Sequence, residues 1–214
     1  QSIILERIVF GETLLSLNVA NPPSKAVVLS PAIVDEFSKF EKVKAVAAMA
    51  SFPTLITFEG LTGNATLQGM NPAYFLYTGG KADYGELFTE KTIDEDRNSV
   101  IVTTAMLKLF GVDSAEQVLG RSISFRVLVP VEGTDQVTEV PIDKQYKIKG
   151  VSNDEASLNT IITLDEFQAY FQVPYYERVQ VRVKTSDDLV AVQDEIIAKG
   201  FVVTALSKTV DQAN

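Results

Sequence analysis

The stretch from Arg178 to Ala205 decides the fold: Arg178-Val179-Gln180-Val181-Arg182-Val183-Lys184, then Thr185 to Asp188, Leu189 to Lys199, Gly200 and Phe201 to Ala205. Val179, Val181 and Val183 alternate with polar residues, as a strand with one wet face requires. Thr185 and Asp188 have capping-box spacing, and Leu189, Val192 and Ile196 line one helix face that Val190 and Ile197 widen. Lys199 closes the last turn and Gly200 supplies the left-handed position behind it. Phe201, Val203 and Ala205 alternate again, so the stretch reads strand, helix, strand.

Working outward, the start of the chain repeats the plan. Glu12 to Val19 reads as a strand before the turn Asn21-Pro22-Pro23-Ser24. Ser30 is an N-cap with Pro31 at the first helical position, and Ile33, Phe37 and Phe40, with Val34 beside them, predict an amphipathic helix of about three turns. Val43, Ala45, Ala47 and Met49 alternate as a second strand that leads through Pro53 into Thr54 to Phe58. Two such units at opposite ends of a chain pair into one four-stranded sheet with both helices on one face, the split βαβ, ferredoxin-like α+β plan. Residues 1–58 and 174–214 would form that subdomain, and residues 59–173 an inserted mixed α/β subdomain.

The insert has short strands at Ala65 to Met70, Ser99 to Val102, Ile123 to Val129 and around Tyr146 and Ile148. Thr103 or Thr104 caps a short helix that stops at Gly111. Glu132 to Asp143 reads as an extended hairpin or loop, and Thr163 with Glu166 forms a capping box ahead of Leu164, Phe167 and Phe171. Pro174 ends that helix.

Composition narrows the chemistry. A net charge of −9 argues against nucleic acid and anionic lipid as partners. The chain has no Cys and no His, which removes thiol nucleophiles, disulfides, thiolate metal sites and imidazole bases. Phosphate-loop, dinucleotide and nucleophile-elbow motifs are absent, and Gly79-Gly80-Lys81 reads as a turn. The acidic groups Asp94-Glu95-Asp96, Asp154-Glu155 and Asp187-Asp188 lack EF-hand spacing and read as caps and solvated surface. Two aromatic groups, Tyr74, Phe75 and Tyr77, and Tyr170, Phe171, Tyr175 and Tyr176, read as core and junction cover, with a docking patch as the functional alternative. Asn64-Ala65-Thr66 matches a glycosylation acceptor by chance frequency alone. No run approaches the roughly 20 apolar residues of a bilayer helix, and the start, without Met or an export core, reads as a processed piece.

Several segments in order resemble the extracytoplasmic core domain of MacB-type and FtsX-type ABC transporter permeases. They are Val28 to Val46, Gln68-Gly69-Met70-Asn71-Pro72-Ala73-Tyr74-Phe75, Ser99 through Ala105 with Leu109-Phe110-Gly111, Val118 to Ile123, Tyr146 to Val151, and Thr209 to Gln212. The chain departs from the family at Lys42, at Gly85-Glu86-Leu87-Phe88 and in the long Glu132 to Asp143 stretch. The resemblance implies a porter-like subdomain and an inserted sabre-like one, on the outer face of the cytoplasmic membrane between two transmembrane helices. It implies a second permease copy, a cytoplasmic ATPase, and an extracytoplasmic adaptor, cargo or envelope protein as partners. The domain would relay ATP-driven motion without catalysis, cofactor or metal of its own. The alternatives are a secreted carboxylate-dependent hydrolase and an extracytoplasmic ligand-sensing module. Bending is expected at the two crossings, Phe58 to Gly60 and Val173 to Tyr175.

Overall fold

The computed structural model describes residues 2–6, 29–72, 82–89, 91, 92, 94–201 and 203–205. In chain order the elements are β1 (Ser2–Glu6), α1 (Pro31–Ser38), β2 (Val43–Phe58), β3 (Leu61–Met70), β4 (Ala82–Gly85), β5 (Ser99–Thr103), α2 (Thr104–Phe110) and β6 (Ser122–Pro130). They continue with β7 (Val137–Pro141), β8 (Tyr146–Ser152), β9 (Asn159–Thr163), α3 (Leu164–Tyr170), β10 (Arg178–Val183), α4 (Leu189–Ala198) and β11 (Thr204–Ala205). Contacts divide the chain into two units, residues 1–50 with 173–214, and residues 51–172.

In the first unit the valines of β10 do what their alternation predicts: Val179, Val181 and Val183 are buried. β10 pairs antiparallel with β1 on one side and with β2 on the other, and β1 pairs antiparallel with β11. The order β11-β1-β10-β2 is, in this unit's own sequence order, 4-1-3-2 with every neighbour antiparallel. That is the ferredoxin-like sheet of two βαβ halves. Ser30 Oγ accepts the amide of Ile33 at 3.3 Å, as the N-cap reading requires, but α1 is eight residues, a little over two turns. Phe37 is fully buried, with the rings of Phe40 and Phe201 each 5.6 Å from its own. Burial of one such ring contributes about 1.5–3 kcal/mol. Lys199 Nζ sits 5.9 Å over the Phe40 ring and 3.7 Å from Glu36, so the ends of the two helices meet. Thr185 Oγ1 donates to Asp188 at 2.9 Å, and a short 3-10 turn, Ser186–Asp188, precedes α4. The N-terminal strand of this sheet is Ser2–Glu6, a short apolar run between polar ends. Glu12 to Val19, read above as that strand, lies outside the described residues, as do Tyr74, Phe75, Tyr77 and Gly79-Gly80-Lys81.

The second unit begins within β2, which is one strand where the sequence suggests two, with Pro53 exposed in its middle. Glu59 and Gly60 have φ of 49° and 83°, the pair of left-handed residues that a type I′ turn needs, and they fold β2 directly onto β3. Phe58 to Gly60, expected as a crossing, is thus a tight hairpin turn inside this unit. β3 runs parallel to β9, β9 antiparallel to β5, β5 parallel to β8, and β8 antiparallel to β6. β6 then returns to β2 through Thr54–Thr57 against Ser124–Val127. Six strands therefore close a ring of pairings, which leaves none of them with an unpaired edge along its whole length. The consecutive Val100, Ile101 and Val102 are all at zero exposure, as a strand covered on both faces should be. α2 follows β5 without a loop and ends at Gly111, φ 69°. α3 packs on β3 at Gly69, where a Cβ would stand 2.5 Å from Cβ of Phe167. Only glycine permits that approach, and it lets Phe167 stack on Phe52 at 5.3 Å and meet Phe171 at 5.1 Å.

Candidate functional site

The side chains able to do chemistry gather in two fastenings of the second unit. In the first, β8 opens with Tyr146, fully buried, whose hydroxyl donates to Glu166 Oε1 at 2.8 Å. Glu166 was expected to close a capping box; Thr163 Oγ1 does accept the Glu166 amide at 3.3 Å, but the Glu166 carboxylate turns inward. Lys144 makes the ion pair with it, lies 4.9 Å over the Tyr146 ring, and donates to Arg97 O and Asn98 Oδ1 at 3.1 Å. Burial, then the bond to Glu166, push the Tyr146 hydroxyl far above the ordinary phenol range, so it stays a donor.

The second fastening joins β8 to the 3-10 turn Glu95–Asn98. Asp96, buried, accepts from Lys149 Nζ at 2.7 Å and from Thr92 Oγ1 at 2.5 Å. Beside it Ala82, Gly85, Glu86, Leu87, Thr89, Thr92 and Lys149 line an open groove of about 550 Å3. β4 reaches β8 closely because both strands offer glycine: a Cβ at Gly85 would lie 2.2 Å from Lys149 O, and one at Gly150 2.3 Å from Glu86 O.

The acidic groups singled out in sequence do not converge. Asp96 is buried against Lys149, whereas Asp94 faces Arg97 at 3.9 Å on the surface. Asp154 accepts the amides of Ala156 and Ser157, both at 2.9 Å, and its own backbone receives Ala105 N at the start of α2. Its partial burial pulls its pKa up, but the two amides together with the Ser157 side chain outweigh that and hold it below the ordinary carboxylate value. Among the described residues no three acidic side chains come together as a metal cluster. In the aromatic group, Phe171 and Tyr176 are core, while Tyr170 remains 41% exposed. Asn64 lies exposed on β3. In the first unit Gln180, in β10, is fully buried, and among the described residues neither of its side-chain amide atoms has a hydrogen-bond partner.

β6 and β7 continue past the ring as a two-stranded arm. Arg126–Pro130 pair with Pro141–Val137, Val131 N donates to Gln136 O at 2.9 Å, and residues 131–139 are all exposed. Arg126 forms an ion pair with Glu139 across the two strands.

Residues 6–199 match the MacB-like periplasmic core domain. The chain belongs to that family. It is accordingly a periplasmic-type, extracytoplasmic domain of a MacB-like ABC transporter permease. The fold agrees: the periplasmic region of MacB from Actinobacillus actinomycetemcomitans superposes with a TM-score of 0.64 at 16% identity, covering 99% of this chain and 91% of that one. The extracellular domain of the noncanonic ABC-type transporter YknZ from Gram-positive bacteria gives 0.61 at 17% identity, covering 96% and 100%. No curated protein matches the chain in sequence. Among the described residues no helix is long and apolar enough to cross a membrane.

Two features of this MacB-like domain escape a sequence reading, namely the partners of Glu166 and of Asp96. Lys144 and Lys149 flank and enter β8, and their carboxylates arrive from segments about 20 to 50 residues away. The one local signal is the alternation of Lys147 and Lys149 with Tyr146 and Ile148.

Proposed function

We propose that this domain transmits ATP-driven motion of the permease to a cargo or partner protein, and performs no catalysis itself. The observation that carries the reading is the use made of its ionisable groups: the two buried carboxylates among the described residues, Asp96 and Glu166, are paired with lysines and fasten the strands to neighbouring elements. A domain built this way holds shape, which suits a mechanical element. In this reading the ferredoxin-like unit is the porter-like part and the ring of strands the sabre-like insert. ATP is hydrolysed by a cytoplasmic ATPase, and the permease works as a pair of copies.

These 214 residues contain no Cys, so within this domain a label attaches only where a cysteine is introduced. Val190 and Leu61, 65% and 51% exposed, lie in different units and suit Val190→Cys and Leu61→Cys. In the whole transporter, electron-spin distance measurements between these sites, within and between copies, are expected to shift between nucleotide-free and trapped ATP states. Distances unchanged in a transporter that still moves its cargo would overturn the relay.

A further inference from the structure

We propose that the outer edge of β7 is a docking strand that takes up an extended, basic segment of a separate extracytoplasmic protein. The inference rests on the relay reading for why such a partner is needed, and on the arm's own geometry for where it sits. Among the described residues β7 pairs with β6 alone, and no other described strand lies on its outer edge. Which groups face out follows from the alternation of an antiparallel ladder. Ile142 N donates to Phe125 O and Val131 N to Gln136 O, which makes these the hydrogen-bonded pairs at either end of the register. Every second pair between them is of the same type, so Thr138 and Val140 bond inward to β6 while Val137 and Glu139 turn their N–H and C=O outward. Pro141 has no N–H and ends the row. The open edge thus offers two donors, a short but complete template for an added strand.

Side chains decide the partner's chemistry. From Val131 to Asp143 the arm carries Glu132, Asp135, Glu139 and Asp143 and neither Lys nor Arg. Paired residues share a face, so Val127, Val129 and Val140 lie on one side of the ribbon and Glu139 and Val137 on the other. Val137 is 55% exposed, so its side chain is open to an added strand. An incoming strand that alternates cationic with β-branched residues brings its cations to the exposed Glu132, Asp135 and Asp143, and to Glu139, which it shares with Arg126, while its β-branched residues extend the valine stripe. A second copy of this chain would bring acid against acid, in a chain whose net charge is −9.

A peptide of four lysines alternating with three valines, and its glutamate counterpart, added to the 214-residue chain, test this. With the lysine peptide the amides of Val137 and Glu139 are expected to become protected from exchange, and binding to weaken at least about tenfold between low and high salt. The glutamate peptide is expected not to bind. Val137→Pro removes one outward donor and no hairpin bond, since edge strands accept proline where the N–H faces solvent. It is expected to keep the fold by circular dichroism and to lose at least about tenfold in affinity. Glu132→Lys with Asp135→Lys is expected to weaken the lysine peptide and leave amide protection in β6 intact. Equal binding by Val137→Pro, protection elsewhere than β7, or self-association of the chain through β7 would each overturn the proposal. Because these are equilibrium measurements on the domain, they can fail while the nucleotide-dependent distances hold, and the reverse.

Discussion

Replacing Lys149 by Met keeps the aliphatic stem in place along the groove and deletes only the charge. Asp96, with 3% of its side chain exposed, is then left with the Thr92 hydroxyl as its one side-chain donor. Breaking a buried ion pair from one side costs about 3–5 kcal/mol. The lower end applies, because Lys149 itself keeps 16% exposure and water reaches the groove side. Asp96→Asn strands the better solvated partner and should cost about 1–2 kcal/mol. In the double variant no charge is left unpaired, so its loss should also be about 1–2 kcal/mol, well short of the sum of the singles. The cycle therefore predicts a coupling of about 2–4 kcal/mol, against the ~0.3–0.5 kcal/mol scatter of independent sites. Urea unfolding gives the totals, and amide exchange on β5 and β8 reports the unit that holds the pair. Additive losses, or a cost below about 0.5 kcal/mol for Lys149→Met, would show that the pair is a solvated contact, and the fastening role would be lost with it.

Gly69→Ala drives a methyl to within 2.5 Å of Phe167 Cβ on a fully buried side chain, and should cost about 1–3 kcal/mol in the same assay; a neutral effect would mean α3 is free to slide. Tyr146→Phe removes the one hydroxyl donor to Glu166 and should cost about 1–3 kcal/mol, with unchanged stability counting against that bond. Asp154→Asn tests a charge. The folded state holds this carboxyl below its ordinary value of 3.8, so its contribution is full above that value and lost as the pH falls through the lower folded one. The variant should therefore be less stable than the parent at neutral pH, and the gap should close as the pH falls below 3.8 and through the lower folded value; a gap that persists once the carboxyl is protonated refutes the electrostatic account.

Much of the first unit is legible because its signals are local. Alternating valines, Pro31 behind a Ser cap and Gly200 at φ 97° each follow from covalent geometry within a few residues. The strand Ser2–Glu6 is not legible in this way: it is five residues long, and its place between β10 and β11 is set by partners nearly the whole chain away. β2 reads as two strands because Pro usually breaks a ladder, yet Pro53 is exposed and falls between the stretch paired with β10 and the stretch paired with β6, so the strand runs on. The ring closure through Thr54–Thr57 and Ser124–Val127 has no sequence signature either, since any alternating pair of strands could be joined. Glu166 shows how a correct local reading stops short. The capping residue is legible, but a helical side chain near the first turn can point back to its cap or into the core, and Tyr146 with Lys144, both distant in sequence, settle which.

The carboxylates also bear on the hydrolase alternative. That reading was motivated by acidic pairs, and glycoside chemistry needs two carboxyls facing one substrate across a gap of roughly 5–10 Å. Here Asp96 is spent on Lys149, Glu166 on Lys144 and Tyr146, Asp154 on two backbone amides and Asp188 on Thr185, each in a separate local structure. Most of the other described carboxylates are exposed, with Glu132, Asp135, Glu139 and Asp143 close together along the β6–β7 arm, where water screens them. Buried acids that are already neutralised stiffen a domain, and exposed acids in a row attract cations on another surface; both favour a part that is pushed and touched over one that catalyses.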